Sequence, residues 1–263
     1  MQISGATVLL TGATGGIGQA IARKLAAAGA ELVLTGRRAD VLAPLAKELG
    51  ARPLSVDLST PVELTRLLGE VGSVDILVAN AALPASGLLE SFTVDEIDRA
   101  LAVNLRAPIV LAHELVPGMV QRGSGHLVFV SSLAGKAAAP GSSIYSASKY
   151  ALRGFAGSLR AELATSGVGV STVFPGFIRD AGMFADSGAT LPRGLQTRTP
   201  ADVAQAVASA IEKNRGEVDV APLSMRASGI LAGVAPEVAS TLARRLGADA
   251  ISAQIAAGQT DKR

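Results

Sequence analysis

Between the first β-type run, Ala6 to Leu10, and the first helix-like stretch stands the string TGATGGIG, Thr11 to Gly18. That order of strand, glycine-rich turn and helix constrains the chain more than any other feature. Glycine adopts φ > 0 at no steric cost and presents no Cβ to a ligand. Gly12, Gly16 and Gly18 therefore permit a tight turn, close passage of a phosphate and close contact between helix and strand, with Thr14 and Ile17 inside the same loop. The free N–H groups of the helix start would face the anion. The spacing differs from plain GxGxxG, and glycines also build ordinary turns; placement between the first strand and the first helix is what favours phosphate binding.

Further β-type runs follow at Glu31 to Thr35, Arg52 to Val56, Val74 to Ala79, His126 to Ser131, Val168 to Phe174 and Glu217 to Ala221, separated by helix-like stretches such as VELTRLLGEV and ASKYALRGFAGSLRAELATSG. Strand followed by helix, repeated, predicts a single α/β domain over residues 1–263, with a seven-stranded parallel sheet covered by helices on both faces. Thr60-Pro61 with Glu63 and Thr199-Pro200 with Asp202 read as helix starts, each a cap, a proline and an acid. The segment 177–199 lacks periodicity and reads as a substrate lid, with Phe177, Met183, Phe184, Leu191 and Leu195 supplying apolar side chains and Arg179, Asp180, Asp186 and Arg193 scattered charge. Residues 258–263 read as a flexible tail.

Composition narrows the class. The net charge is +2, from 24 basic and 22 acidic residues without a basic block, which argues against nucleic acid as a partner. There is no Cys, and His113 and His126 lack metal-ligand spacing, so neither disulfides nor a metal site is expected and a reducing cytoplasm fits. The apolar segment Val220 to Val238 is interrupted by Pro222, Arg226 and Pro236, which suits a pocket wall or subunit contact better than an integral membrane span. A charged content of 17% leaves room for surface covered by other subunits.

The end of the second strand reads VLTGRR. An acid there would grip ribose hydroxyls and repel a 2′-phosphate; this chain has Gly36, then Arg37 and Arg38. Guanidinium groups beside a small uncharged residue suit a phosphorylated ribose, so NADP(H) is favoured over NAD(H). Arg38 reads as the more peripheral of the two. Asp57, with Leu58 beside it in SVDLS, could accept from an adenine amino group, or serve only the following helix start. Asn80 in NAA leaves room for a cofactor backbone, or braces the neighbouring strand.

YSASK places Tyr145 and Lys149 four residues apart, on one face if they are helical. An ammonium beside a phenol lowers its pKa and lets it exchange a proton near neutrality. Ser132, thirteen residues earlier at the end of a strand, could donate to a substrate oxygen. Ser131 would point to the opposite face.

From TGATGGIG through NAA, SS, YSASK and PG at Pro175-Gly176, the chain resembles the short-chain dehydrogenase/reductase (SDR) family over essentially its whole length. The resemblance implies a Rossmann-like fold and an active site of Asn104, Ser132, Tyr145 and Lys149, with Asn104 supporting a water through its backbone. It also implies that Lys149 holds the nicotinamide ribose and that Pro175, Gly176 and Ile178 pass the nicotinamide. A small carbonyl or alcohol substrate and a homodimer or homotetramer, paired through helices that carry Ala147, Ala151, Leu152, Phe155 and Leu159, follow from the same likeness. Two departures stand out: NAA replaces NAG, and Asp180 occupies the place of a threonine in PGxxxT. An NAD-dependent dehydrogenase and a non-catalytic nucleotide sensor are the competing readings.

Overall fold

A computed structural model describes residues 1–191, 196–245 and 247–259. Its strands are β1 (Thr7–Leu10), β2 (Glu31–Gly36), β3 (Arg52–Ser55), β4 (Ile76–Ala79), β5 (Gly125–Val130), β6 (Val168–Pro175) and β7 (Glu217–Val220). All pair in parallel in the order β3-β2-β1-β4-β5-β6-β7. The helices that alternate with them are α1 (Gly16–Ala27), α2 (Ala39–Leu49), α3 (Pro61–Val71), α4 (Val94–Leu101), α5 (Ala107–Arg122), α6 (Ser143–Glu162), α7 (Met183–Ser187) and α8 (Pro200–Glu212). After β7 come α9 (Leu223–Val234), α10 (Pro236–Arg245) and α11 (Ala248–Ala257). This is the Rossmann-like α/β fold that the alternation predicts.

Period-two alternation splits the core between the two faces of the sheet. Val8 and Leu10 pack with Ile21 and Leu25 of α1 and Val203 and Val207 of α8. Leu9, between them in sequence, joins Leu67 of α3, Leu111 of α5 and Leu152 of α6. β5 does the same, sending Val128 and Val130 to one layer and Leu127 and Phe129 to the other. Strands covered on both faces must be apolar on both, which explains the near-continuous runs in the sequence. Pro53 is accommodated because β3 lies at a sheet edge.

The helix starts differ in detail from their sequence reading. Thr199 forms the expected capping box with Asp202, but Thr60 makes no side-chain cap, and Glu63 instead accepts from the Asp57 N–H at 2.6 Å. α4 and α5 are joined by a π-helical turn, Ala102–Arg106. The resulting run Val94–Arg122 has the length and composition of a membrane-crossing helix, yet Ala107, Leu111, Ala112 and Met119 pack into the sheet-covering layer. The segment Val220 to Val238 forms the end of β7, α9 and the start of α10; Met225 packs beside Leu133 and Phe174, while Leu223, Ile230 and Val234 are exposed.

Within the expected lid, α7 forms and Ile178 makes an isolated bridge with Arg198; Arg193 and Leu195 lie outside the described residues. Gly258 and Gln259, read as the start of a flexible tail, are packed: Gln259 is 1% exposed and donates from Nε2 to Met183 O at 2.8 Å. Residues 260–263 lie outside the described chain.

Candidate active site

The strand order reverses between β1 and β4, and the crevice at that switch point is where the ends of neighbouring strands diverge. Thr11 holds it together. Its Oγ1 accepts from the N–H groups of Asn80 and Ala81, each at 3.1 Å, while Asn80 Nδ2 donates to the Thr11 and Gly12 carbonyls, both at 3.1 Å. Asn80 thus braces the turn and also lines the crevice. Gly12 has φ +67, and a Cβ there would come within 2.7 Å of Ala81 Cα.

The crevice opens into a chamber of about 630 Å³ lined by the glycine-rich turn, Gly36, Arg37, Arg38, Asp57, Leu58, Asn80 and Met183. The first turn of α1 carries no acidic residue, and its N-cap Gly15 offers no side-chain acceptor, so the positive end of the helix is left uncompensated toward the chamber. Arg38 is less peripheral than the sequence indicates: its Nη2 donates to Thr14 O at 2.6 Å, tying the end of β2 to the turn. Gly36 is buried against Thr14, whose Cγ2 would lie 2.7 Å from a Cβ at position 36. Burial works to raise the Asp57 carboxyl, but hydrogen bonds from Ser59 and the nearby Arg37 and Arg99 guanidiniums hold it below the usual carboxylate range. These features fit a nicotinamide dinucleotide: backbone donors for a pyrophosphate, two guanidiniums at its distal end, and the buried Thr35 Oγ1 with no hydrogen-bond partner in the chamber wall.

A second chamber of about 110 Å³ shares Ile17, Asn80, Ala82 and Met183 with the first. Into it converge Ser132, Tyr145, Lys149, Pro175, Gly176 and Ile178. α6 begins at Ser143, four residues before the sequence pattern suggests, and so carries Tyr145 and Lys149 on one turn. Ser132 hydrogen-bonds Tyr145, accepts from Ala134 N at 3.2 Å and lies 3.5 Å from Pro175 O. Lys149 is 1% exposed, and its Nζ donates to Val130 O at 3.0 Å. Ser131 also borders this chamber, but its hydroxyl is committed to Lys149 O, to which it donates at 3.1 Å, stapling α6 to β5.

The pKa expectation for Tyr145 is reversed. Burial pushes the phenol up to about 12, against the opposing hydrogen bond from Ser132. Lys149 is itself lowered to about 8 by burial, and its Nζ lies 5.6 Å from the Tyr145 ring centroid, with its charge directed at the Val130 carbonyl. Desolvation of the phenol outweighs attraction to an ammonium at that distance.

Asn104 is fully buried within the π-helical turn, and both ends of its side chain bind Leu83: Oδ1 accepts from the N–H at 2.7 Å and Nδ2 donates to the carbonyl at 3.0 Å. It pins the loop after β4 and does not line either chamber. Asp180 lines neither chamber; it is exposed, holds φ +70 and pairs with Arg179 Nε at 3.5 Å. The bracing roles of Thr11 and Val130 and the burial of Gln259 were absent from the sequence expectations. No sequence signal marks any of them, because each acts through contacts made between separate elements.

Residues 6–192 match the family model described as short chain dehydrogenase. The chain is 36% identical over 227 residues to the ketoacyl reductase HetN of Nostoc sp., covering 83% of this chain and 79% of that protein. It is also 36% identical over 233 residues to the mouse dehydrogenase/reductase SDR family member 7B, covering 81% and 72%. A short-chain dehydrogenase from Sphingobium yanoikuyae, solved in complex with NADPH, superimposes with a TM-score of 0.77 at 30% identity, covering 89% of this chain and 94% of that one. The shared sheet order, the glycine-rich turn at its switch point and these likenesses agree: the chain belongs to the short-chain dehydrogenase/reductase family of oxidoreductases.

Proposed function

We propose that the chain is an NADP(H)-preferring oxidoreductase that interconverts a secondary alcohol and a ketone on a moderately apolar small molecule. The observation that carries this reading is the convergence of Ser132, Tyr145 and Lys149 on a chamber continuous with the nucleotide crevice. When bound, the nicotinamide would supply the hydride for reduction or accept it in oxidation. Ser132 donates a hydrogen bond to the substrate oxygen, and Tyr145 gives that oxygen its phenolic proton or recovers it in the reverse direction. A phenol held up at about 12 is protonated at neutral pH and so carries the proton that reduction consumes, while equilibrium and cofactor ratio set the direction. Lys149 holds the nicotinamide ribose and keeps a cation beside the phenol; Asn104 acts as a positioning residue through Leu83.

Gly12, Thr14, Gly16, Ile17, Gly18, Asp57, Leu58 and Asn80 hold the adenosine and pyrophosphate half of the cofactor, and Pro175, Gly176 and Ile178 the nicotinamide half. NADP preference is supported by Arg37 and Arg38 and by the packing of Gly36 on Thr14, which leaves no space for an acid at that position. Phe177 and Phe184, with ring centroids 4.8 Å apart at the lid, favour an apolar substrate body. On α6, Leu152 is core, whereas Ala147, Ala151 and Gly154 stay exposed and open to a second copy, which supports a homodimer or homotetramer. Light scattering tests the assembly.

Titration with NADPH and NADH, followed by nicotinamide fluorescence and then by a panel of ketones, tests the main reading. NADPH is expected to bind more tightly, and Arg37→Ala to weaken NADPH about tenfold with little effect on NADH. Tyr145→Phe is expected to lower kcat by about a thousandfold while NADPH still binds. Absence of binding by either cofactor would refute the reading.

A further inference from the structure

The C-terminal segment is fastened over the nucleotide chamber. Thr190 N donates to Gln254 Oε1 of α11 at 2.9 Å, and Gly258 lies so close to Ser187 that a Cβ there would stand 2.1 Å from its carbonyl oxygen. Gln259 goes further in. It is 1% exposed, lines the same chamber as the glycine-rich turn, and is oriented by its Nε2 bond to Met183 O. With the amide nitrogen committed to that carbonyl, the amide oxygen is the end left over, and Gln259 Oε1 is buried with no hydrogen-bond partner. Burying an acceptor unpaired forfeits its hydration, so such atoms are uncommon unless something binds them. The strap uses only the amide N–H, through its bond to Met183 O, and leaves the amide oxygen without a structural role.

We propose that Gln259 is a cofactor-contacting residue whose side-chain oxygen accepts a hydrogen bond from the dinucleotide, and that the C-terminal segment thereby completes the binding chamber. The inference rests on the dinucleotide reading above. The donor is an O–H or N–H, from a ribose hydroxyl or from the nicotinamide carboxamide; Met183, whose carbonyl orients Gln259, lines both chambers and places the contact toward their junction.

The test is NADPH titration of the full chain by nicotinamide fluorescence, with melting temperature of the unliganded protein measured in parallel. Gln259→Met and Gln259→Leu, two apolar replacements of different shape, are expected to raise the NADPH Kd about tenfold, because the ligand donor then goes unpaired. Gln254→Met, which loosens the strap without touching the chamber, is expected to leave Kd within about twofold. With the analogue in which a 3-acetyl group replaces the carboxamide, the wild-type advantage disappears for a carboxamide donor and persists for a ribose hydroxyl; either result upholds the proposal. Wild-type affinity in both Gln259 variants, or equal weakening by Gln254→Met, overturns it while leaving the dinucleotide reading intact. If the wild-type chain binds neither NADPH nor NADH, both fall together.

Discussion

Tyr145 and Lys149 occupy one turn of α6, and burial moves their pKa values in opposite directions, to about 12 and about 8. The charged form is disfavoured in each case, so the phenol stays protonated and the ammonium becomes easier to neutralise. Ketone reduction is therefore expected to be flat in kcat/KM from about pH 6 and to decline above about pH 8 as Lys149 loses its proton. Lys149→Arg, charged throughout that range, should remove the decline whatever it does to the absolute rate. A profile in which both proteins decline alike would assign the limb to another group. That Ser132, Tyr145 and Lys149 would come together was legible from spacing and from the family resemblance. Their pKa values were not, since desolvation depends on which elements close over the side chain.

Among elements, the turn from β1 into α1 carries the tightest steric demand. Gly12 combines a left-handed φ with backbone contact to Ala81, so Gly12→Ala must shift β4's exit loop as well as strain its own residue. The expected result is loss of NADPH binding by at least about tenfold with a stability loss of about 1–3 kcal/mol, measured by fluorescence titration and urea denaturation. Strand positions were readable because buried parallel strands must be apolar on both faces. Helix starts were readable at both Thr60 and Thr199; what the pattern did not give is that only Thr199 forms its capping box, because Glu63 turns to the Asp57 N–H instead. Nothing in a run of apolar residues marks the π-helical turn that sets Asn104 against Leu83.

Across the whole molecule, His126 couples the fold to pH. It is buried on β5, with Nε2 2.8 Å from Ser171 Oγ on β6, and burial, assisted by the N-terminal ammonium and Arg160, lowers its pKa from 6.5 to about 4. Above about pH 6.5 the side chain is neutral whether the chain is folded or not, and its contribution to stability is complete. As pH falls from about 6.5 to about 4 the unfolded chain takes up a proton that the folded chain refuses, so stability declines, by up to about 3 kcal/mol. Urea denaturation at steps across this window checks the slope, which should be reduced in His126→Asn. The sequence by itself determined the class of fold, the succession of strands and helices along the chain, the glycine-rich turn and the spacing of Ser132, Tyr145 and Lys149, because periodicity, glycine placement and short-range spacing act locally. Only the tertiary structure decided that Tyr145 is raised rather than lowered, that Arg38 is anchored to the phosphate turn, that Asp180 turns outward and that Gln259 enters the chamber. Apart from Asp180, which pairs with its neighbour Arg179, each of these depends on groups brought together from separate elements, and the burial and pairing that result have no local signature.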